Sequence, residues 1–233
     1  MGLNRHLEKQ LIKFREMVGL SAREPVSIKS LLFKLEILTI FKPLSDDFSG
    51  MALKISDKKF ILVNSNHNIG RQNFTIGHEL YHLFIQEDFK PHKCKTNSFD
   101  STDKEEQKAN KFSANLLMPE DGLLERIPEP ELGKNKIKIG TVLKLEQIFG
   151  VSHSALLYRL KTLGYIDIDY ISKYNSNVVE LAIKYGFPTN LYKPANKNLI
   201  LGDYGTRVQE LFDAEKISEG HYHELKELLN NGE

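Results

Sequence analysis

The run Thr75 to Phe84, Thr-Ile-Gly-His-Glu-Leu-Tyr-His-Leu-Phe, constrains this chain more than any other stretch, because it contains His78-Glu79-x-x-His82. Residues four apart on an α-helix sit one turn above each other on the same face. Both imidazoles then point the same way, as a single zinc ion requires of two ligands at about 2.0–2.1 Å. Glu79 lies about 100° further round the helix. From there its carboxylate can reach a water beside the metal without taking a coordination position. The flanks suit a buried helix: Phe74, Ile76, Leu80, Leu83, Phe84 and Ile85 can pack, and Gly77 admits another backbone. The spacing by itself also fits two surface histidines on an amphipathic helix, so a third ligand decides between the readings.

Residues Thr102 to Pro119 offer one. Thr102 and Glu105 have the spacing of a capping box, and Glu106, Ala109, Asn110, Ser113, Leu116 and Leu117 follow at helical spacing. A carboxylate on the same stripe as small and apolar residues points inward, where an unpaired charge is costly and a cation relieves the cost. Glu106 is therefore the candidate third ligand, although a solvated acidic first turn would also explain Glu105 and Glu106. Asn110, one turn beyond Glu106, can hydrogen-bond a ligand imidazole and fix its tautomer.

With these residues go Phe74-Thr75-Ile76 before the histidine pair, then Phe112-Ser113-Ala114-x-Leu116-Leu117-Met118-Pro119, Phe149-Gly150-Val151-Ser152 and Arg159-Leu160. Together they resemble the ImmA/IrrE family of metallopeptidases over roughly residues 25–165. Tyr81 stands where that family commonly has Gly, and Ser113 where it commonly has Ala; neither change removes a ligand or the base. The resemblance implies a zincin-like peptidase domain with His78, His82 and Glu106 on Zn2+ and Glu79 as general base. It further implies a cytoplasmic regulatory endopeptidase whose protein substrate is often a helix-turn-helix repressor encoded nearby, in mobile elements such as phage, in stress responses or in toxin-antitoxin pairs. The competing expectation is a non-proteolytic interaction protein or DNA-binding regulator with a structural or vestigial metal site.

Thirty-two basic and 31 acidic side chains leave a formal charge of +1, which gives no global excess for nucleic acid or membrane. A lone cysteine, Cys94, excludes an internal disulfide framework. No apolar leader and no run of eighteen apolar residues is present, so the expected location is cytoplasmic.

The expected fold class is α+β: a mostly helical domain over 1–165, with a covering helix at 3–18 and a core at 25–165, and a small helical C-terminal extension over 166–233. Leu3, Leu7, Leu11, Phe14 and Val18 recur at helical spacing and stop at Gly19; Ser27 can cap a short helix carrying Ile28, Leu31 and Leu32. Residues 37–41, 50–55 and 60–64 read as a three-stranded antiparallel sheet, with 60–64 as the edge that could take an extended peptide. His67 reads as a surface residue, and 87–101 as a loop in which His92 and Cys94 make no closed metal site. Residues 139–163 read as a helix pair turning at Gly150. Six Lys or Arg against one Glu over 134–161 keep a helix-turn-helix DNA contact open but not favoured. His153, Tyr158 and Arg159 are candidate oxyanion donors, and their setting among apolar neighbours favours a structural role for all three.

Overall fold

The computed structural model of the protein describes residues 5–89, 93–95, 103–174 and 177–230. Leu3, Lys90, Pro91, His92 and Thr102 from the sequence reading lie outside the described residues. Leu7, Leu11 and Phe14 are buried along one face of α1 (Arg5–Met17), and Gly19 ends the segment with a φ of 69°. That left-handed turn is sterically open to glycine. Helix α2 (Ile28–Lys34) follows Ser27 and buries Ile28, Leu31 and Leu32.

Five strands follow the order β4-β2-β3-β1-β5, with β1 at Leu38–Lys42, β2 at Phe48–Ile55, β3 at Lys58–Asn64, β4 at Lys93–Lys95 and β5 at Ile200–Leu201. Strands β2 and β3 form an antiparallel hairpin, from Gly50 opposite Val63 to Ile55 opposite Lys58. Strand β1 lies parallel to β3, with Leu38 opposite Phe60 and Lys42 opposite Asn64. The α+β class stands, but the sheet is five-stranded and mixed where three antiparallel strands were expected.

One side chain accounts for the parallel pairing. Asn64 is fully buried at the end of β3. Its Nδ2 donates to the carbonyls of Ser45 at 2.9 Å and Phe48 at 2.7 Å, and its Oδ1 accepts from the amides of Leu44 and Asn66, both at 3.0 Å. These bonds strap the link from β1 to β2 across the end of β3, so β2 returns on the side of β3 away from β1. Alternating burial reports which face a side chain takes and not which strand lies beside it. Residues 60–64 consequently lie in the middle of the sheet, paired on both sides, and are not the edge that was expected.

The long helix α3 (Ile69–Phe84) packs under the sheet and against α4 (Lys104–Leu117). Asn68 caps α3, its side chain accepting from the amide of Arg71 at 2.9 Å. The cap of α4 is Asp103, one residue after Thr102, and accepts from the amide of Glu105 at 2.7 Å. The 87–101 stretch, read as a loop, contributes β4. Beyond α5 (Glu120–Leu124), α6 (Ile139–Phe149) and α7 (His153–Thr162) form the expected helix pair. Gly150 makes the left-handed turn with a φ of 62°, and Ser152 caps α7.

The C-terminal third lies against this unit. Helix α8 (Ile168–Tyr174) is tied down by Tyr170, whose hydroxyl donates to the Ile137 carbonyl at 2.6 Å. After α9 (Val178–Lys184), residues 193–196 run along the start of α3: the Gln72 amide donates to the carbonyls of His67 at 2.7 Å and Ala195 at 3.0 Å. Strand β5 then adds antiparallel to β1. His67, read as a surface histidine, is only 8% exposed. Burial, with Arg71 nearby, holds its pKa below the ordinary value against the opposing pull of Asp46. Helices α10 (Tyr204–Asp213) and α11 (Glu219–Asn230) close the chain as a hairpin, with Phe212 stacked on Tyr222 at 4.4 Å. Among the described residues no helix is long and apolar enough to cross a membrane.

Candidate metal centre

Helix α3 brings His78, Glu79 and His82 to its buried side: the histidines are each 1% exposed and Glu79 is fully buried. Two close approaches fix the helix in place. A Cβ on Gly50 of β2 would lie 2.6 Å from Thr75 Cγ2 and 3.7 Å from Glu79 Oε1, so the bare backbone of β2 lies directly beside the catalytic candidate. On the other side Ser113 of α4 fills the space over Gly77 and donates to the Phe74 carbonyl at 2.7 Å. Small residues at both contacts let strand, helix and helix meet within van der Waals distance.

That approach carries Glu106, in the first turn of α4, to the histidine pair. His78 Nε2 lies 3.1 Å from His82 Nε2 and 3.3 Å from Glu106 Oε2, and His82 Nε2 lies 3.4 Å from Glu106 Oε1. Tetrahedral bonds of 2.0–2.1 Å would set ligand atoms about 3.3–3.4 Å apart. The two nitrogens and the Glu106 carboxylate therefore stand close to the spacing of ligands around one zinc ion, and they form a group able to hold a metal.

The tautomers agree. Asn110 Oδ1 lies 2.9 Å from His78 Nδ1, and Gln86 Oε1 lies 2.6 Å from His82 Nδ1. A carboxamide oxygen only accepts, so each Nδ1 carries a hydrogen, and the tautomer this selects turns its Nε2 lone pair inward. Two nitrogen lone pairs and a carboxylate then converge on one point, which is the donor set of a divalent cation and electrostatically costly without one.

Gln86 was not singled out in the sequence, although it lies one turn beyond His82. Its signal is the same i, i+4 spacing that links the two histidines. Tyr81 sits edge-on to His82, ring centres 5.4 Å apart, and donates its hydroxyl to Glu105 Oε2 at 2.7 Å. Burial first, then the Glu105 carboxylate, push the tyrosine pKa up. At Glu105 burial acts to raise the pKa, but the hydrogen bonds from Lys108 and Tyr81 outweigh it and leave the carboxyl below its ordinary range.

His153, Tyr158 and Arg159 take no part in this group. His153 is held between Glu146 Oε1 at 2.6 Å and the Tyr174 carbonyl at 3.0 Å. Arg159 donates to the Met118 carbonyl at 3.2 Å and Asn115 Oδ1 at 2.7 Å. Asn115 is nine residues along α4 from Glu106, a rise of about 13 Å. Tyr158 is 46% exposed on α7. With Arg159 at 6% exposure, the basic stretch 134–161 also loses one of the side chains that could meet DNA.

Fold and site together define a helical zincin-like domain with a His-His-Glu centre. A family model described as a peptidase, the IrrE N-terminal-like domain, matches residues 34–161, and the chain belongs to that family. The match takes in β1 to β3 and both helices of the metal centre, and it makes the domain one of metallopeptidase type. No curated protein matches the chain.

Proposed function

We propose that the protein is a zinc-dependent endopeptidase, with His78, His82 and Glu106 as metal ligands and Glu79 as general base. The observation that carries this reading is the convergence of two imidazole nitrogens and the two oxygens of the Glu106 carboxylate at 3.1–3.4 Å, one residue from a buried carboxylate that is not among them. A zinc ion held by His78, His82 and Glu106 would supply Lewis acidity for water and for the substrate carbonyl. Glu79 takes one proton from the attacking water as its oxygen bonds to the carbonyl carbon. The same carboxyl then delivers that proton to the nitrogen as the C–N bond breaks, so an amine and a carboxylic acid leave and Glu79 is restored. Asn110 holds the His78 ring in register through both steps.

The substrate we propose is a helix-turn-helix repressor encoded near this gene; the resemblance to the ImmA/IrrE regulatory peptidases supports that choice. Catalysis is assigned to residues 1–165. The extension 166–233 supports it from outside, by closing the sheet with β5 and covering the entrance to α3. We place the protein in the cytoplasm, where such a repressor works.

The test is Glu79→Gln, purified with zinc and incubated with the repressor. The variant retains one zinc per chain and loses cleavage by about 100- to 10,000-fold. Cleavage at the wild-type rate would remove Glu79 as the base. Full biological action without cleavage would favour a non-proteolytic regulator.

A further inference from the structure

The mechanism above uses Asn110 to hold one imidazole and leaves the other to its surroundings. His82 is 1% exposed, so its Nδ1 needs an acceptor inside the protein. That acceptor comes from just beyond the end of α3. The backbone amides of Ile85 and Gln86 both donate to the Tyr81 carbonyl, at 2.8 and 3.0 Å, which folds the chain back under the last turn. The Gln86 side chain then reaches His82 Nδ1 at 2.6 Å, and its own Nε2 donates to the Asp88 carbonyl at 3.2 Å. The second bond orients the carboxamide, because only its oxygen can then face the imidazole.

We propose that Gln86 is a positioning residue for the metal centre: it fixes the Nε2-ligating tautomer of His82, as Asn110 does for His78. Without the Gln86 oxygen, a hydrogen on Nδ1 loses the acceptor that stands 2.6 Å from it, at a buried position where that loss is costly. The ring can escape that cost by moving the hydrogen to Nε2, the atom aimed at His78 and Glu106, and a protonated nitrogen binds no metal. Both holding groups are neutral carboxamides. Neither makes its imidazole as basic a ligand as a carboxylate would. A carboxylate at position 86 should therefore retain the function and tighten metal binding.

The proposal rests on the zinc reading of the site, and zinc binding itself, read without any peptide, separates the two. Zinc alone is titrated against a chromophoric chelator for the wild type, Gln86→Met and Gln86→Glu, with circular dichroism of each metal-free protein. Methionine keeps the bulk of glutamine and lacks the acceptor, and residue 86 is only partly buried, so the fold should be retained. Gln86→Met should weaken zinc binding about 10- to 100-fold. Gln86→Glu should bind zinc at least as tightly as the wild type. Wild-type affinity in Gln86→Met overturns the role of Gln86 and leaves the zinc reading standing. Equal weakening in both variants also overturns it, since the acceptor would then be irrelevant. A wild-type protein that binds no zinc refutes the reading of the site itself.

Discussion

Gly77 and Ser113 meet where the two ligand-bearing helices pack: a Cβ on residue 77 would stand 2.5 Å from Ser113 Oγ. The hydroxyl cannot simply swing away, because it donates to the Phe74 carbonyl at 2.7 Å. Gly77→Ala should therefore destabilise the protein by about 1–3 kcal/mol, the usual penalty for overpacking. It should also weaken zinc binding, as α4 moves Glu106 outward. Adding Ser113→Ala should recover most of the lost stability. Urea unfolding of the two single variants and the double variant checks this, and additive losses would contradict it.

A second expectation concerns the buried cluster that joins α6, α7 and the C-terminal third. Glu146 is fully buried, accepts from the Tyr192 hydroxyl at 2.7 Å and contacts His153 at 2.6 Å. Burial pulls the His153 pKa down, but the bond and charge of Glu146, with the Tyr174 carbonyl, outweigh it and leave the imidazolium pKa raised. A histidine whose folded-state pKa is raised contributes stability in full below its unfolded value, about 6.5, and loses it as pH rises through the folded value. Wild-type stability in urea should thus decline from pH 6 towards pH 9 through this group. Glu146→Gln should cost about 3–5 kcal/mol at pH 6 and flatten that slope.

The strap at the end of β3 gives a third. Asn64→Leu leaves the amides of Leu44 and Asn66 and the carbonyls of Ser45 and Phe48 without their side-chain partner. A loss of at least about 2 kcal/mol should follow. Hydrogen exchange should speed up first in residues 43–48. Unchanged protection there would contradict the role given to Asn64.

What the sequence made legible is what local spacing encodes. His78, His82 and Glu106 each sit on a helix whose period can be read within a few residues, although the cap of α4 is Asp103 and not Thr102 and the Asn68 cap of α3 has no counterpart in the sequence reading; the Gly150 turn with the Ser152 cap is equally local. Asn110 follows from Glu106 by one helical turn. Gln86 was just as legible, since it follows His82 by the same interval, but it lies past Ile85, where the apolar pattern that marks the helix stops. The sheet was not legible in this way. The pairing of β1 with β3 depends on Asn64 and a backbone strap, and β5 comes from residues 200–201, far along the chain. The start of α3 is bonded through Ile69 and Gln72 to residues 193–196, which no window around that helix start contains.

The most direct measurement is calorimetric titration of zinc into metal-free protein, for the wild type and for Glu106→Ala. A single saturable site per chain in the wild type is predicted, weakened at least about 100-fold when the third ligand is gone. No saturable site in the wild type, or an affinity that ignores Glu106→Ala, would contradict the convergence on which catalysis is built.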